Sequence, residues 1–196
     1  MILEALFLGV IAGKIRGGDF KRLGYVFFRV PYILILSFIL MIGTSLLVFL
    51  GNKVVIDNRI YIYIVAYFFL FIVLFLNLHN KAIWLILLGA IANFAAIVLN
   101  QGSMPIDLLV LEKLGLVNMI NLIKEGEILS YIPIQDASMY TEYLAKRFAL
   151  PSFYPLKHVM SIGDLLVSLG LFLYIQKIMQ SRVYRRTSRM IRHDYR

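Results

Sequence analysis

Ser161-Ile-Gly-Asp164 opens the apolar run SIGDLLVSLGLFLYIQ, so a carboxylate stands where a hydrocarbon-soluble segment begins. Asp107 and Glu4 are the other acids with a claim to partner it, because each adjoins an apolar run of its own. Two carboxylates held close share a proton, which lets one activate water while the other donates. The same four residues have a quieter chemistry. A serine followed three positions later by an acid forms a capping box, and an anion there suits the positive end of a helix. Asp164 is thus read both as a helix cap and as one acid of a hydrolytic pair, Asp164 with Asp107.

The polar groups recur at helical spacing. Gly89, Asn93, Ala96 and Asn100 lie on one face of one run, and Ser161, Asp164 and Ser168 on one face of another. Hydrocarbon offers such groups no partner, whereas a facing helix does, and small residues let two backbones approach. The two stripes are expected to face each other or another helix. Ala5, Gly9 and Gly13 form a third ridge of small residues beside Glu4. Glu4, Asn93, Asn100, Ser161 and Asp164 make up the candidate polar binding site, since ionisable groups at membrane depth face a bundle interior or a wet cavity.

The elements that must position these groups are membrane helices. The 196 residues are 61% hydrophobic and 16% charged, with mean hydropathy +0.82, well above the apolar share of a soluble domain. Five apolar runs are expected as spans: 2–13, 31–50, 60–78, 82–99 and 159–178. Continuous apolar runs satisfy their backbone amides as helices, while a barrel requires short alternating strands, so the class is an all-α bundle forming a single integral membrane domain. The first run is short for a crossing, at about 1.5 Å per residue. No Lys or Arg precedes it, and Lys14, Arg16, Lys21 and Arg22 follow it, an order that suits a retained helix and not a cleaved signal.

Charge orients the bundle, because Lys and Arg concentrate in short cytoplasmic connections. Residues 14–29 carry five basic groups against Asp19 alone, and the tail 179–196 is rich in arginine. With five spans and the N-terminus outside, both fall in the cytoplasm of a cell whose plasma membrane holds the chain. Segment 100–158 then lies outside, where its Lys and Arg are offset by six acids. Lys53 and Arg59, in a short outer connection with Asp57, run against the pattern.

Within that outer segment, Ile106 to Ile123 is apolar enough to raise the question of a sixth span. Glu112 and Lys113 sit in its middle, each costing about 2.5 to 3.5 kcal/mol at a membrane helix centre. A broken helix or re-entrant hairpin at the outer interface is expected instead, interrupted at Gly115, with short helices and turns to Pro155. In NQGSMPID, Gly102 and Pro105 read as a helix stop, with a headgroup-binding or glycan-binding loop as the functional alternative. Tyr61, Tyr63 and Trp84 near span ends read as interface anchors.

Met-Ile-Leu at the start, NQGSMP at 100–105 and SIGDLLVSLGLFLYIQ at 161–176 resemble a family of bacterial multi-pass membrane proteins, domain of unknown function 5317. The resemblance spans nearly the whole chain and implies fold and membrane location, with no activity to carry over. The family pattern is Asn-Gly-Gly-x-Met-Pro; here Gln101 stands at the first glycine and Gly102 keeps the second. SIGD also differs by one residue, Ser161, from the Gly-x-Gly-Asp motif of intramembrane aspartyl peptidases, the sharper form of the acid-pair reading.

Arg182, Arg185, Arg186, Arg189 and Arg192 would give a helix continuing past the last span a basic face. Its partner is anionic lipid, worth about 1 kcal/mol per basic residue near the surface. Nucleic acid is not expected, since no aromatic stacking pattern or nucleic-acid fold accompanies the charge. His79 and His158 are isolated and Cys is absent, so no metal, disulfide or cofactor is expected. The leading reading is a noncatalytic membrane component that binds a lipid-linked or envelope protein partner. An aspartyl hydrolase is the alternative, and a small carrier the third, without the inverted repeat that would favour it.

Because the chain has no native cysteine, orientation has a direct test. A Ser188→Cys variant should react with a membrane-impermeant maleimide only after the cells are opened; labelling of intact cells would reverse the assignment.

Overall fold

The computed structural model describes residues 2–25, 28–150 and 157–180. The tail arginines at 182, 185, 186, 189 and 192, read above as the contact with anionic lipid, lie outside the described residues, as does Pro155. Among the described residues four helices are long and apolar enough to cross a membrane: α2 Pro31–Phe49, α3 Lys53–Leu76, α4 Lys81–Leu99 and α7 Ile162–Gln180. The helix that precedes them, α1 Ile2–Ile15, has 14 residues, about 21 Å at 1.5 Å per residue, and falls short of that length.

Local chemistry fixes where the helices begin. Asn52 and Asn80 cap α3 and α4, their side chains accepting from Val55 N and Ala82 N. Pro31 occupies the first turn of α2, where its missing N–H costs nothing. The third helix starts at Lys53 and not near Ile60, so Lys53, Asp57 and Arg59 ride on its first turns instead of in a loop. The last helix starts at Ile162, three residues later than expected, because Val159–Met160 forms strand β4.

The helices pack in the row α1, α7, α4, α3, α2, each chiefly against its neighbours in that row. Consecutive in sequence, α1 and α2 stand at opposite ends of it and share no comparable packing. Helix α1 runs parallel to α7: Glu4 lies by His158, Gly9 against Phe172, and Gly13 against Met179. Between α3 and α4 a core of Tyr67, Leu70, Leu74, Ile83, Ile86, Leu87 and Ala90 is buried. Ser37, fully buried, donates to the Ala66 carbonyl at 2.8 Å and joins α2 to α3.

Glycines set the α4–α7 seam. A Cβ at Gly89 would fall 2.5 Å from the Gly163 carbonyl oxygen and 2.9 Å from the Val167 nitrogen, and one at Gly163 would collide with the Asn93 side chain. The small and polar stripes of α4 and α7 therefore face each other, at a separation only glycine permits.

Residues 100–150 and 157–160 fold over one end of the row as a crown. It holds β1 Met104–Ile106 paired parallel with β2 Tyr131–Pro133, and β3 Phe148–Ala149 paired antiparallel with β4. An all-α chain was expected; the structure is mostly helical with these short strands, which are too brief to imprint a period-two pattern. The apolar run 106–123 is two helices, α5 Leu108–Lys113 and α6 Val117–Lys124, broken at Gly115 with φ +70°. Ile106, Leu111, Ile120 and Ile123 bury a small second core there.

The opposite end, the base, is tied by basic groups. Arg22 Nη1 donates to the Met179 carbonyl at 2.7 Å, where a cation also complements the negative end of α7. Arg16 Nη1 donates to Gln176 Oε1 at 2.7 Å, and Lys177 Nζ to Asn80 Oδ1 at 3.2 Å.

The seam predicts an asymmetry between glycines. Gly89→Ala should lower stability by about 1–3 kcal/mol through overpacking. Gly43→Ala, in a helix and with nothing within 4 Å of its Cβ, should be neutral or stabilising by about 0.5–1 kcal/mol. Thermal unfolding in detergent, followed by circular dichroism, compares the two.

Candidate functional site

Asp164 is bound on both oxygens. Oδ1 accepts from Asn93 Nδ2 at 2.9 Å, and Oδ2 accepts from Lys146 Nζ at 2.8 Å and from Ser161 N at 3.2 Å. Ser161 Oγ in turn accepts from Asp164 N at 2.9 Å and donates to Asn93 Oδ1 at 2.7 Å. The reciprocal Ser161–Asp164 bonds form a capping box. Asn93 closes that box into a ring across the α4–α7 seam.

Lys146 is the member that sequence reasoning missed. Its backbone is locked to the crown: Lys146 N donates to the Pro105 carbonyl at 2.8 Å, and Asp107 N to the Lys146 carbonyl at 3.0 Å. That docking carries its ammonium down to Asp164. A carboxylate at this depth calls for a cation, but the crown offers Lys113, Lys124, Lys146, Arg147 and Lys157. No spacing rule selects among them.

The other expected site residues separate into distinct groups. Glu4 Oε1 lies 3.7 Å from His158 Nε2 at the crown end of α1. Asn100 is buried and works as a fastener: it donates to the Ala96 carbonyl at 2.7 Å and to Thr141 Oγ1 at 3.1 Å, and accepts from Ser138 N at 2.7 Å. Seven residues from Asn93, it stands about 10 Å farther along α4. Asp107 caps α5, accepting from Leu109 N at 3.0 Å. No hydrogen bond joins Asp107 to Asp164 among the described residues.

The loop after α4 stops the helix as expected, with Gly102 left-handed, and Gln101 before it is left-handed too. Gln101, with φ +52°, takes the left-handed turn, its N–H donating to the Val98 carbonyl, while Gly102 N–H reaches the Ile97 carbonyl at 2.8 Å. These are the two bonds of a Schellman motif. Gly102, also left-handed, is packed against Arg59, whose Nε donates to the Gln101 carbonyl at 3.0 Å and Nη2 to Ser103 Oγ at 3.1 Å. Arg59, an exception to the expected charge pattern, clamps this turn. Tyr63 is likewise no interface anchor: it is buried and shares a 3.0 Å hydrogen bond with Ser45, whereas Tyr61 and Trp84 are exposed.

A cleft of about 1060 Å³ runs between the separated walls α1 and α2, over a floor of α3, α4 and α7. Leu6, Phe7, Leu34, Phe38 and Met41 line the walls, with Tyr67, Leu70, Ile86 and Leu171 on the floor. Its charged residues and amide gather at the crown end: Glu4, Asn93, Lys146, His158 and Asp164, with Ser168 one turn below and the Tyr174 phenol farther towards the base. From Asn93 to Ile83, ten residues of α4, the floor extends about 15 Å, half the roughly 30 Å of a bilayer's hydrocarbon. Its volume lies at the upper end of the roughly 300–1,000 Å³ usual for ligand pockets.

A double-mutant cycle measures the ion pair, whose side chains are only 21% and 25% exposed. Asp164→Asn strands the Lys146 ammonium and should cost somewhat less than the 3–5 kcal/mol of a fully buried pair. Lys146→Met should cost a similar amount, and the double variant less than the sum by about 0.5–3 kcal/mol. Additive losses in thermal unfolding would show that the pair is not coupled.

No curated protein and no solved structure matches the chain. The model of a family described as a family of unknown function (DUF5317) matches residues 26–176, which include α2 to α6, the crown and α7 as far as Gln176. The chain belongs to that family.

Proposed function

We propose that this is a five-helix plasma-membrane protein that holds a lipid or lipid-linked envelope component, its apolar chain in the cleft and its polar end against Glu4, Asn93, Asp164 and Lys146, with the buried Ser161 holding Asn93 and Asp164 from behind. The N-terminus and crown face outside, and the basic tail lies in the cytoplasm against anionic lipid. The role is binding, without catalysis. What carries the reading is the one-ended polarity of the cleft: among the described residues every charged lining residue lies at the crown end, and the remaining 15 Å is almost wholly apolar. That is the profile of an amphiphile.

Helix α1 counts as the fifth span on its packing. It follows α7 from Glu4 to Gly13, and at about 21 Å a membrane accommodates it by local thinning and by the reach of Lys14 and Arg16. Its shortness also keeps one wall of the cleft low. A hydrolase would need Asp164 and Asp107 to share a water, and both carboxylates already serve as helix caps. Asn100 contributes by holding the crown, not by touching the occupant.

Native mass spectrometry of detergent-purified protein tests the reading. The wild-type chain should retain a lipid. Leu34→Trp, which puts bulk into the cleft, should reduce it severalfold, whereas Leu36→Trp on the exposed face of α2 should not. Loss of the adduct from neither variant, or no adduct in the wild type, refutes lipid holding in the cleft.

A further inference from the structure

A second, smaller cavity of about 250 Å³ lies against the first. Met41, Tyr67, Asn93, Lys146 and Asp164 line both, so the ion pair is part of their shared wall. The two spaces differ in chemistry. Beyond the shared residues, the smaller one is bounded by Ser45 and Tyr63 from the helices and by Ser130 and Tyr131 from the crown.

Its electrostatics are those of a neutral site. Among the described residues Lys146 and Asp164 are its only charged lining residues, and they cancel each other at 2.8 Å. A phosphate there would face the Asp164 carboxylate, and an amine the Lys146 ammonium. Each therefore meets a like charge beside its opposite, and drawing its partner out of the pair would leave a partly buried charge unmatched. Arg59, packed against the lining residue Gly102, is turned to Gln101 and Ser103. Hydroxyls are abundant instead. Ser45 and Tyr63 share one hydrogen bond at 3.0 Å, and each oxygen keeps capacity for another.

Resting on the reading that the cleft holds a lipid chain, we infer that the occupant is a neutral glycosylated lipid. Its uncharged, hydroxyl-bearing head occupies the smaller cavity, and its linkage to the chain crosses beside the Lys146–Asp164 pair. At roughly 30 Å³ per water in the liquid, 250 Å³ is the space of about eight waters, suited to a single sugar ring and not to a long glycan.

The test uses full-length delipidated protein titrated in native mass spectrometry with monoglucosyl diacylglycerol, phosphatidylglycerol and phosphatidylethanolamine of matched chains. The glucosyl lipid should bind about two- to tenfold tighter than either phospholipid, the worth of one or a few net hydrogen bonds. In Tyr63→Phe and in Ser45→Ala, which retain the packing and remove one hydroxyl each, that preference should fall towards one while phospholipid binding stays unchanged. Equal binding of all three lipids, preference for a phospholipid, or an undiminished preference in both variants overturns the assignment of the head while leaving the cleft reading intact. Binding of none of them in the wild type overturns both.

Discussion

A carboxylate taken to the depth of Asp164 has to be matched, and the organisation of this protein follows from how it is matched. Water solvates a charge freely, whereas a bundle must supply each of its partners from fixed positions. Here the partners come from three parts of the chain: Ser161 on the same helix, Asn93 across the seam, and Lys146 from the crown. Removing the crown would leave the carboxylate with no cation. The same pair therefore joins the long apolar helices to the crown.

That convergence depends on distance between backbones. Asn93 has a short side chain and reaches both Ser161 and Asp164 only because Gly89 and Gly163 let α4 and α7 come together. Small residues in membranes make up for the missing hydrophobic drive between helices by allowing close van der Waals contact and interhelical hydrogen bonds. Gly9 and Gly13 do the same between α1 and α7. With α1 drawn to one end of the row and α2 to the other, the tight seam at the centre goes with an open cleft beside it. Close packing and cavity are two outcomes of one helix order.

The site is also a boundary between media. On one side the lining is hydrocarbon-like; on the other lie hydroxyls of Ser45, Tyr63 and the crown. A paired charge tolerates both, since its net charge is zero and its hydrogen bonds are satisfied internally. Asn100 and Arg59 stabilise the arrangement from the crown end by fixing the turn at 100–103 and the loop near Ser138. Asn100, which opens the stretch NQGSMPID also read as a headgroup- or glycan-binding loop, spends its side chain on bonds to Ala96, Ser138 and Thr141.

Much of this was legible in the residues themselves. Local rules are written in adjacent positions, so four long apolar helices, the break at Gly115, the stop after Asn100 and the Ser161–Asp164 box could be read from hydropathy, glycine placement and capping spacing. The stripes on α4 and α7 were visible as periodicity, since a period of 3.6 residues projects them onto one face. What sequence could not decide was pairing between distant elements. Nothing in the spacing singled out Lys146 from the other basic residues of the crown, buried Tyr63 instead of placing it at an interface, or gave Arg59 a turn to clamp. The short strands left no pattern, and the cleft belongs to no segment at all. Such features arise from where helices stand relative to one another, and that order is set by packing among side chains far apart in the chain, which only the assembled structure specifies.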